Sequence, residues 1–374
     1  MGNILARYYF PFIIYLVFSV GGVIPLSVED PLVLILSGFV FVNVVGMGFI
    51  YFRDFKKERV QVVFLFFFIS FLVSALGLLA TNDLVVSFEK INGAVFCSVV
   101  ISVFWVVGVR RYGEHGFLRS FLFVMFAFFV LTVLYKMQMG FGSRSVRFFI
   151  NGPIVYGWLM ALGFVLAFHC WSVESKISYL ILALVFLFGV FWTESKGALA
   201  ALAFSLCVYF FSYFRKNIKY FLFLGFSLLA IFFVFGEQIS AALDGSRLQA
   251  VSRIFSGDLG ESDYGSIGVR SELINAAVAS FLDSPMLGIG MGNFSYQQFF
   301  YPHNQHLELF AEFGFFVGVL HVLFIVYAIC RSNSLYRVLI ILFSISASFS
   351  GDASYLRFVY AFCMIGLMLP VRKS

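Results

Sequence analysis

Long apolar runs recur along most of this chain, and they constrain its fold more than any other feature. A helix that spans a membrane needs about 20 mostly apolar residues. Only 12% of the 374 residues are charged, whereas a soluble domain carries about 25%. The runs predict about twelve spans, near residues 8–25, 31–51, 60–80, 94–109, 118–138, 154–171, 177–193, 197–213, 219–236, 304–330, 337–349 and 354–371. We therefore expect an all-α, polytopic membrane protein in which residues 1–374 form a single integral membrane domain.

The basic residues predict how these spans are oriented. Short cytoplasmic loops of membrane proteins are enriched in Lys and Arg. If the N-terminus is cytoplasmic, most of the 25 basic residues fall in the predicted inner connections. Both termini are then cytoplasmic, and one long loop, residues 237–303, lies on the opposite side. Within it, apolar residues at helical spacing over 269–282 predict a short helix on the outer surface, ended by residues 283–285.

Polar side chains gather in one stretch of this apolar chain, residues 270–318. The stretch contains Arg270, Asn293, His303, Asn304, His306, Glu308 and Glu312. Pro285 and the glycines at positions 288, 290 and 292 predict a tight turn, or a close approach of the backbone to a ligand or a helix. Because ionisable groups are costly inside a membrane, such a gathering predicts the functional site.

Two other interpretations of this stretch are disfavoured by spacing. The G-I-G-M-G-N run invites a dinucleotide-binding interpretation, but no strand precedes it. His303 and His306 share a helix face, yet Glu308 follows too closely for a metal site and no further His or Cys is near. We therefore expect no metal and no other cofactor. A histidine beside the membrane surface suits a general base, and Glu308 and Glu312 are interpreted as acids that complement the dipole of their helix.

Nine of the 25 basic residues fall on the predicted outer side, against the charge rule, and three of them are candidates for a substrate contact. An anionic substrate at the outer face would explain Arg147, Lys196 and Arg270; lipid headgroups or local ion pairs are the alternative. Lys90 is interpreted instead as a solvated loop residue that faces nearby acids. The net charge of +6 forms no basic patch, so no nucleic acid partner is expected, and the five cysteines are not spaced for zinc or disulfides.

Three segments of the C-terminal half carry a family resemblance. They are S-K-G-A-L-A from residue 195, R-S-E-L from 270 with S-P-M-L-G-I-G-M-G-N-F from 284, and P-H-N-Q-H-L-E-L-F-A-E-F-G from 302. Together they resemble the superfamily of O-antigen ligases and O-antigen polymerases, which are polytopic membrane glycosyltransferases. The resemblance implies transfer of a glycan from undecaprenyl diphosphate, on the periplasmic side of a bacterial inner membrane, without a metal. It also places the 237–303 loop in the periplasm.

The resemblance also implies roles for individual residues. His303 matches the essential histidine of the family and Arg270 its loop arginine, so these two are the expected catalytic residues. Lys196 stands where many members have arginine, which leaves a point charge in place of a bidentate fork. The expected substrate-binding residues are Lys196, Arg147, Asn304, Asn293 and His306.

The acceptor stays open between lipid A-core, which a ligase would use, and a second lipid-linked glycan, which a polymerase would use. Membrane lipids are the other expected partners. A protein O-oligosaccharyltransferase is a further alternative, although such enzymes usually carry extra periplasmic sequence after the last span. A transporter would place ionisable groups near the middle of the membrane in broken helices, whereas these gather at one face.

Overall fold

The computed structural model describes residues 2–21, 77–141, 146–214 and 269–369, together with shorter helical pieces within 35–42 and 61–74. These residues are mostly helical, and no β-strand occurs among them beyond a single bridge between Phe148 and Asn151. The predicted all-α class is therefore confirmed for the described part of the chain. The predicted spans 31–51, 60–80 and 219–236 lie wholly or partly outside it.

The described helices follow the predicted apolar runs closely. They are α1 (Gly2–Val20), α2 (Leu84–Tyr112), α3 (Glu114–Met139), α4 (Pro153–Glu174), α5 (Ile177–Trp192), α6 (Lys196–Phe214), α7 (Val269–Asp283), α8 (Asn293–Gln298), α9 (Gln305–Arg331), α10 (Ser334–Phe349) and α11 (Leu356–Met368). Helix α2 contains a π-helical stretch, Asn92–Cys97, and a 3-10 turn, Ala353–Tyr355, precedes α11.

Four of these helices, α2, α3, α4 and α9, are long and apolar enough to cross a membrane. Shorter apolar helices accompany them at α1, α5, α6, α10 and α11. The chain is thus a membrane protein. The predicted number of about twelve spans and the periplasmic position of the 237–303 loop stay predictions, and residues 237–268 of that loop lie outside the described part.

The charged residues predicted to be cytoplasmic meet at one end of the helix bundle. Arg7 of α1 donates to the carbonyl oxygen of Gly116 at the start of α3, at 3.1 Å. Glu174, at the end of α4, accepts from Lys176 at 2.6 Å and from Arg119 at 3.4 Å. These contacts join the ends of helices that the charge pattern places on the same side.

Helix α11 forms the centre of the described core. Phe358 stacks on Phe18 of α1 with ring centroids 4.7 Å apart, and Phe362 stacks on Phe343 of α10 at 5.3 Å. Arg357, which is 2% exposed, donates to the backbone carbonyl of Phe18 near the end of α1. A cation there complements the negative end of the dipole of α1. Helix α11 thereby contacts the end of α1 that lies opposite Arg7 and the charged contacts described above.

Candidate active site

A kink in helix α9 provides the attachment point for the glycine-rich loop that precedes it. Gly314 has φ 75° and ψ −170°, which interrupts the helix and frees backbone groups in the turn before it. The carbonyl oxygen of Ala311 accepts from the amide of Ile289 at 2.9 Å, and that of Glu312 accepts from Gly290 at 3.0 Å. Backbone hydrogen bonds therefore join the loop to the helix, as they join two paired β-strands.

Glycine is required at this junction for two physical reasons. Gly288 has φ +73°, and a Cβ atom placed there would lie 2.3 Å from the carbonyl carbon and oxygen of Glu312. The amide of Phe315, just past the kink, donates to the carbonyl oxygen of Pro285 at 2.7 Å. The proline and the glycines of the S-P-M-L-G-I-G-M-G motif thus fit against the A-E-F-G motif of α9. The expected close approach of backbone to a helix is confirmed.

Asn293 fastens the other end of the same loop. Its side-chain amide donates to the carbonyl oxygens of Ala80 and Ile289, at 2.7 and 2.6 Å, and its Oδ1 accepts from the amide of Asn82 at 2.7 Å. The residue predicted to bind substrate therefore has three backbone partners, two of which lie just before α2. These bonds give Asn293 a role in holding the loop in place.

Lys90 forms a buried ion pair beside the loop. Its ammonium nitrogen lies 2.6 Å from one carboxylate oxygen of Glu308 and 2.6 Å from one of Glu312, and all three side chains are at most 2% exposed. The interpretation of Lys90 as a solvated loop residue is therefore wrong, because α2 begins at Leu84 and carries Lys90 into the bundle. Glu308 and Glu312 are ion-pair partners rather than acids that only complement a helix dipole.

Asn304 and His306 begin helix α9 and are held by the protein. The side-chain oxygen of Asn304 accepts from the amide of Leu307 at 3.0 Å, which caps the helix. The Nε2 of His306 lies 2.8 Å from the carbonyl oxygen of Ser344, and its Nδ1 lies 2.7 Å from Nε2 of His321. Both ring nitrogens of His306 are thus bonded within the bundle, and a substrate or metal contact would have to break one of these bonds.

The hydrogen-bond chain through His306 has a fixed direction when both imidazoles are neutral. The carbonyl oxygen of Ser344 can only accept, so Nε2 of His306 carries the proton. Nδ1 of His306 then accepts from Nε2–H of His321. Nδ1 of His321, in turn, accepts from the hydroxyl of Tyr360 at 2.8 Å. This chain joins α9, α10 and α11 beneath the start of α9.

His303 occupies a strained and partly buried position just before α9. Its φ is 57°, a left-handed conformation that is uncommon for a residue with a side chain. The imidazole packs edge-on against Tyr301, with ring centroids 4.6 Å apart, and no described residue pairs with its buried Nδ1. Burial, and to a smaller extent the positive charge of Arg270, lower the pKa of His303 from 6.5 to about 4. The imidazole is therefore neutral at physiological pH and able to accept a proton.

Arg270, in the first turn of α7, belongs to the same group of residues. Its charge acts on the pKa of Tyr301 as well as on that of His303, so the guanidinium lies within electrostatic reach of both rings. Tyr355 and Asp352 also lie within electrostatic reach of Tyr301 and raise its pKa. The structure therefore brings together the two predicted catalytic residues, although 33 positions of irregular sequence and short helix separate them, and it adds Tyr301, Asp352 and Tyr355, which the sequence argument missed.

Lys196 begins helix α6 at the same end of the bundle. The next residue, Gly197, packs against Phe349 at the end of α10, where a Cβ atom would approach the Phe349 side chain to 2.9 Å. The carbonyl oxygen of Ser350 accepts from Gln305 Nε2 at 2.7 Å. Lys196 is thus linked through two neighbouring residues to the first turn of α9, which follows His303.

Arg147 lies near the end of α5. It is exposed and immediately precedes Phe148, whose ring is 5.1 Å from that of Trp192 at the end of α5. Asn151 bonds to Ser19 at the end of α1, at 3.2 Å. Arg147 and Lys196 therefore both lie near the turn between α5 and α6.

A long apolar cavity of about 980 Å³ opens beside these polar groups. It runs along α9 from Leu309 and Phe313 to Cys330 and Arg331, between that helix and described residues within 65–74. Met291 of the glycine-rich loop and Ala353 line it at the site end. The cavity thus starts next to the residues around His303 and extends along α9, past the kink at Gly314, to the residues at the end of that helix.

Within the described residues, no group of three His, Cys, Asp or Glu side chains is placed to hold a metal ion. Each ring nitrogen of His306 already has a protein partner, as described above. The polar groups that converge instead are one neutral histidine, one arginine and hydroxyl or carboxylate side chains. Such a set can accept a proton and bind an anion.

Comparison with known families gives a match over part of the chain. Residues 181–322 match the family model for O-antigen ligases. The O-antigen ligase resemblance inferred from the motifs is thereby confirmed over this segment. It contains Lys196, Arg270, Asn293 and the first turn of α9 with His303. A search of curated proteins finds no match to the chain. Arg147, Lys90 and Asp352 lie outside the segment that matches the O-antigen ligases, so the family match does not bear on them.

Proposed function

We propose that this protein is an O-antigen ligase, a glycosyltransferase that moves a polysaccharide from undecaprenyl diphosphate to lipid A-core. The reaction takes place on the periplasmic face of the bacterial inner membrane. The observation that carries the proposal is the neutral, strained His303 beside Arg270, within a segment that matches the O-antigen ligases.

The transfer needs a base, and His303 is suited to that role. The oxygen of the acceptor hydroxyl attacks the anomeric carbon while its proton passes to the imidazole of His303. The bond between that carbon and the diphosphate oxygen breaks, and its electron pair stays on the diphosphate. Because the hydroxyl attacks the face opposite the leaving group, the anomeric configuration inverts.

The departing diphosphate needs fixed positive charge, which Arg270 supplies at the position nearest His303. Lys196 and Arg147 lie at the same end of the bundle and extend the positive surface towards the second phosphate or the glycan. Charge stabilisation by these side chains requires no metal. Asn304 and His306 hold the start of α9, and Asn293 holds the glycine-rich loop, so these three position the site rather than bind the sugar.

The apolar cavity suits the polyprenyl chain of the donor. Its site end lies beside His303 and its length follows α9, so a diphosphate at Arg270 would leave the lipid chain pointing into apolar surroundings. An enzyme that used only water-soluble sugars would gain nothing from such a cavity.

Lipopolysaccharide from a strain that lacks this gene separates the ligase from the polymerase, which joins lipid-linked repeat units. Loss of the ligase leaves bare core and accumulates lipid-linked polymer. Loss of the polymerase leaves core that bears at most one repeat unit. Complementation with wild-type protein restores the long-chain pattern in either case, and the banding of the deletion strain decides between them.

A further inference from the structure

The ring of Tyr301 packs against the imidazole of His303, the proposed base, with centroids 4.6 Å apart. Its ring meets that of His303 at an interplanar angle of 66° and stacks on Phe300 with centroids 4.6 Å apart. Pro302, between Tyr301 and His303, fixes the backbone that carries both rings. The phenol is therefore held in one place relative to the imidazole, as groups that act together in catalysis must be.

The hydroxyl of Tyr301 lies within electrostatic reach of charges of both signs. The positive charge of Arg270 lowers its pKa, whereas Tyr355, Asp352 and Glu308 raise it. No hydrogen bond joins this hydroxyl to any described residue. A protonated phenol can donate to an acceptor that arrives with the substrate.

Burial, reinforced by Tyr355 and Asp352, raises the pKa of Tyr301 from 10.0 to about 12. The phenol therefore keeps its proton throughout the physiological range and acts as a neutral hydrogen-bond donor. A neutral donor is the suitable group here, because a further cation would pair with Asp352 or Glu308 instead of with the substrate.

We propose that Tyr301 is a catalytic residue whose hydroxyl donates a hydrogen bond to the diphosphate oxygen beside Arg270, strengthening as charge develops on the leaving group. The proposal rests on the proposed function and adds a donor to it. No proton is transferred from Tyr301: the acceptor's proton still goes to His303, and the diphosphate leaves as the anion. The hydrogen bond also keeps the diphosphate away from Asp352.

Tyr301→Phe keeps the ring and its packing on Phe300 and His303, and removes only the hydroxyl. We expect the turnover number for glycan transfer to fall about 100-fold, the size of effect typical of removing one donor to a developing negative charge. The thermal unfolding temperature in detergent should not change. Tyr296→Phe is the matched control, since Tyr296 is an exposed tyrosine on α8, and it should keep full turnover.

A second variant tests the donor role directly. Incorporation of 3-fluorotyrosine at position 301 makes the phenol more acidic and a stronger donor, so turnover at neutral pH should equal or exceed that of wild type. Full turnover of Tyr301→Phe, or a fluorotyrosine variant as slow as Tyr301→Phe, would overturn the role of Tyr301. His303→Ala separates the two proposals: if it is inactive while Tyr301→Phe is normal, only Tyr301 is misassigned. If His303→Ala is normal, the proposed function itself fails.

Discussion

The ammonium group of Lys90 lies 2.6 Å from a carboxylate oxygen of Glu308, although 218 positions separate the two residues in the chain. The same ammonium binds Glu312 one helical turn further along α9. Helix α2 is thereby fixed to the first two turns of α9, directly below His303. The ion pair also lies beside the kink at Gly314, where the glycine-rich loop attaches. Charge pairing and backbone pairing together set where α9 begins relative to the rest of the bundle.

Lys90→Met should destabilise the folded protein by about 3–5 kcal/mol, because it leaves two buried carboxylates without a cation. The matched control is the triple variant Lys90→Met, Glu308→Gln, Glu312→Gln, in which no charge is buried and the two amides can bond to each other. Thermal unfolding of detergent-purified protein measures both. A triple variant that is less stable than Lys90→Met alone would show that the ion pair does not govern stability here.

Gly288→Ala should be strongly destabilising. The left-handed backbone alone costs a residue with a Cβ about 1–2 kcal/mol, and the added carbon would also meet the Glu312 backbone at 2.3 Å. Gly38→Ala serves as the control, since a Cβ there meets nothing within 4 Å. The fraction of monodisperse protein after solubilisation reports the difference. Equal yields for the two variants would contradict the junction between the loop and α9.

Arg270 and Lys196 should differ in which substitutions they tolerate. Arg270→Ala should reduce transfer by about 100-fold or more, and Arg270→Lys should recover only part of it, because lysine cannot grip a phosphate with two parallel bonds. Lys196→Ala should also be damaging, whereas Lys196→Arg should be tolerated. Arg119→Ala, at the opposite end of the bundle, is the control for general loss of charge. The rate of glycan transfer at saturating donor is measured for each variant. An Arg119→Ala variant as slow as Arg270→Ala would mean that Arg270 has been misassigned.

The pH dependence of kcat/KM should reflect the lowered pKa of His303. A protonated imidazole cannot accept a proton, so activity is lost as the pH falls through that pKa, at about 4 rather than 6.5. Because the charge of Arg270 contributes to the lowering, the residual activity of Arg270→Gln should show its acid limb at a higher pH. The limb of Lys196→Gln should stay where wild type has it. A wild-type limb near 6.5 would contradict the buried, neutral imidazole.

The sequence predicted the helices well because an apolar run is a local signal. The boundaries of α3, α4, α5, α9 and α10 follow from such runs. The proline and glycines of the loop motif predicted the close approach of that loop to α9. The functional motif also placed His303 just ahead of a helix, where the structure finds it. Features that depend on one residue and its immediate neighbours could therefore be predicted from the sequence.

Features that depend on distant partners were not. Residues 84–91 mix polar and apolar side chains, so the sequence predicted that Lys90 lies in a loop. Nothing in the neighbouring residues indicated that Glu308 and Glu312 of α9 would pair with it. Asn293 resembled a substrate ligand because its backbone partners before α2 lie more than 200 positions away. Asp352 and Tyr355 reach the site only through the packing of α10 and α11 against α9. For Lys90, the available signal was a charged residue next to a long apolar segment.

The central claim is that His303 is the base for a metal-independent transfer, and one assay tests it directly. Purified protein is given a defined lipid-linked glycan and a lipid A-core acceptor in excess EDTA, alongside His303→Ala and the control His115→Ala at the opposite end of the bundle. A base contributes about 10²–10⁴-fold, so we predict full transfer by wild type and His115→Ala, and at most a hundredth of that rate for His303→Ala. Normal transfer by His303→Ala, or wild-type activity that EDTA abolishes and zinc restores, would contradict the account.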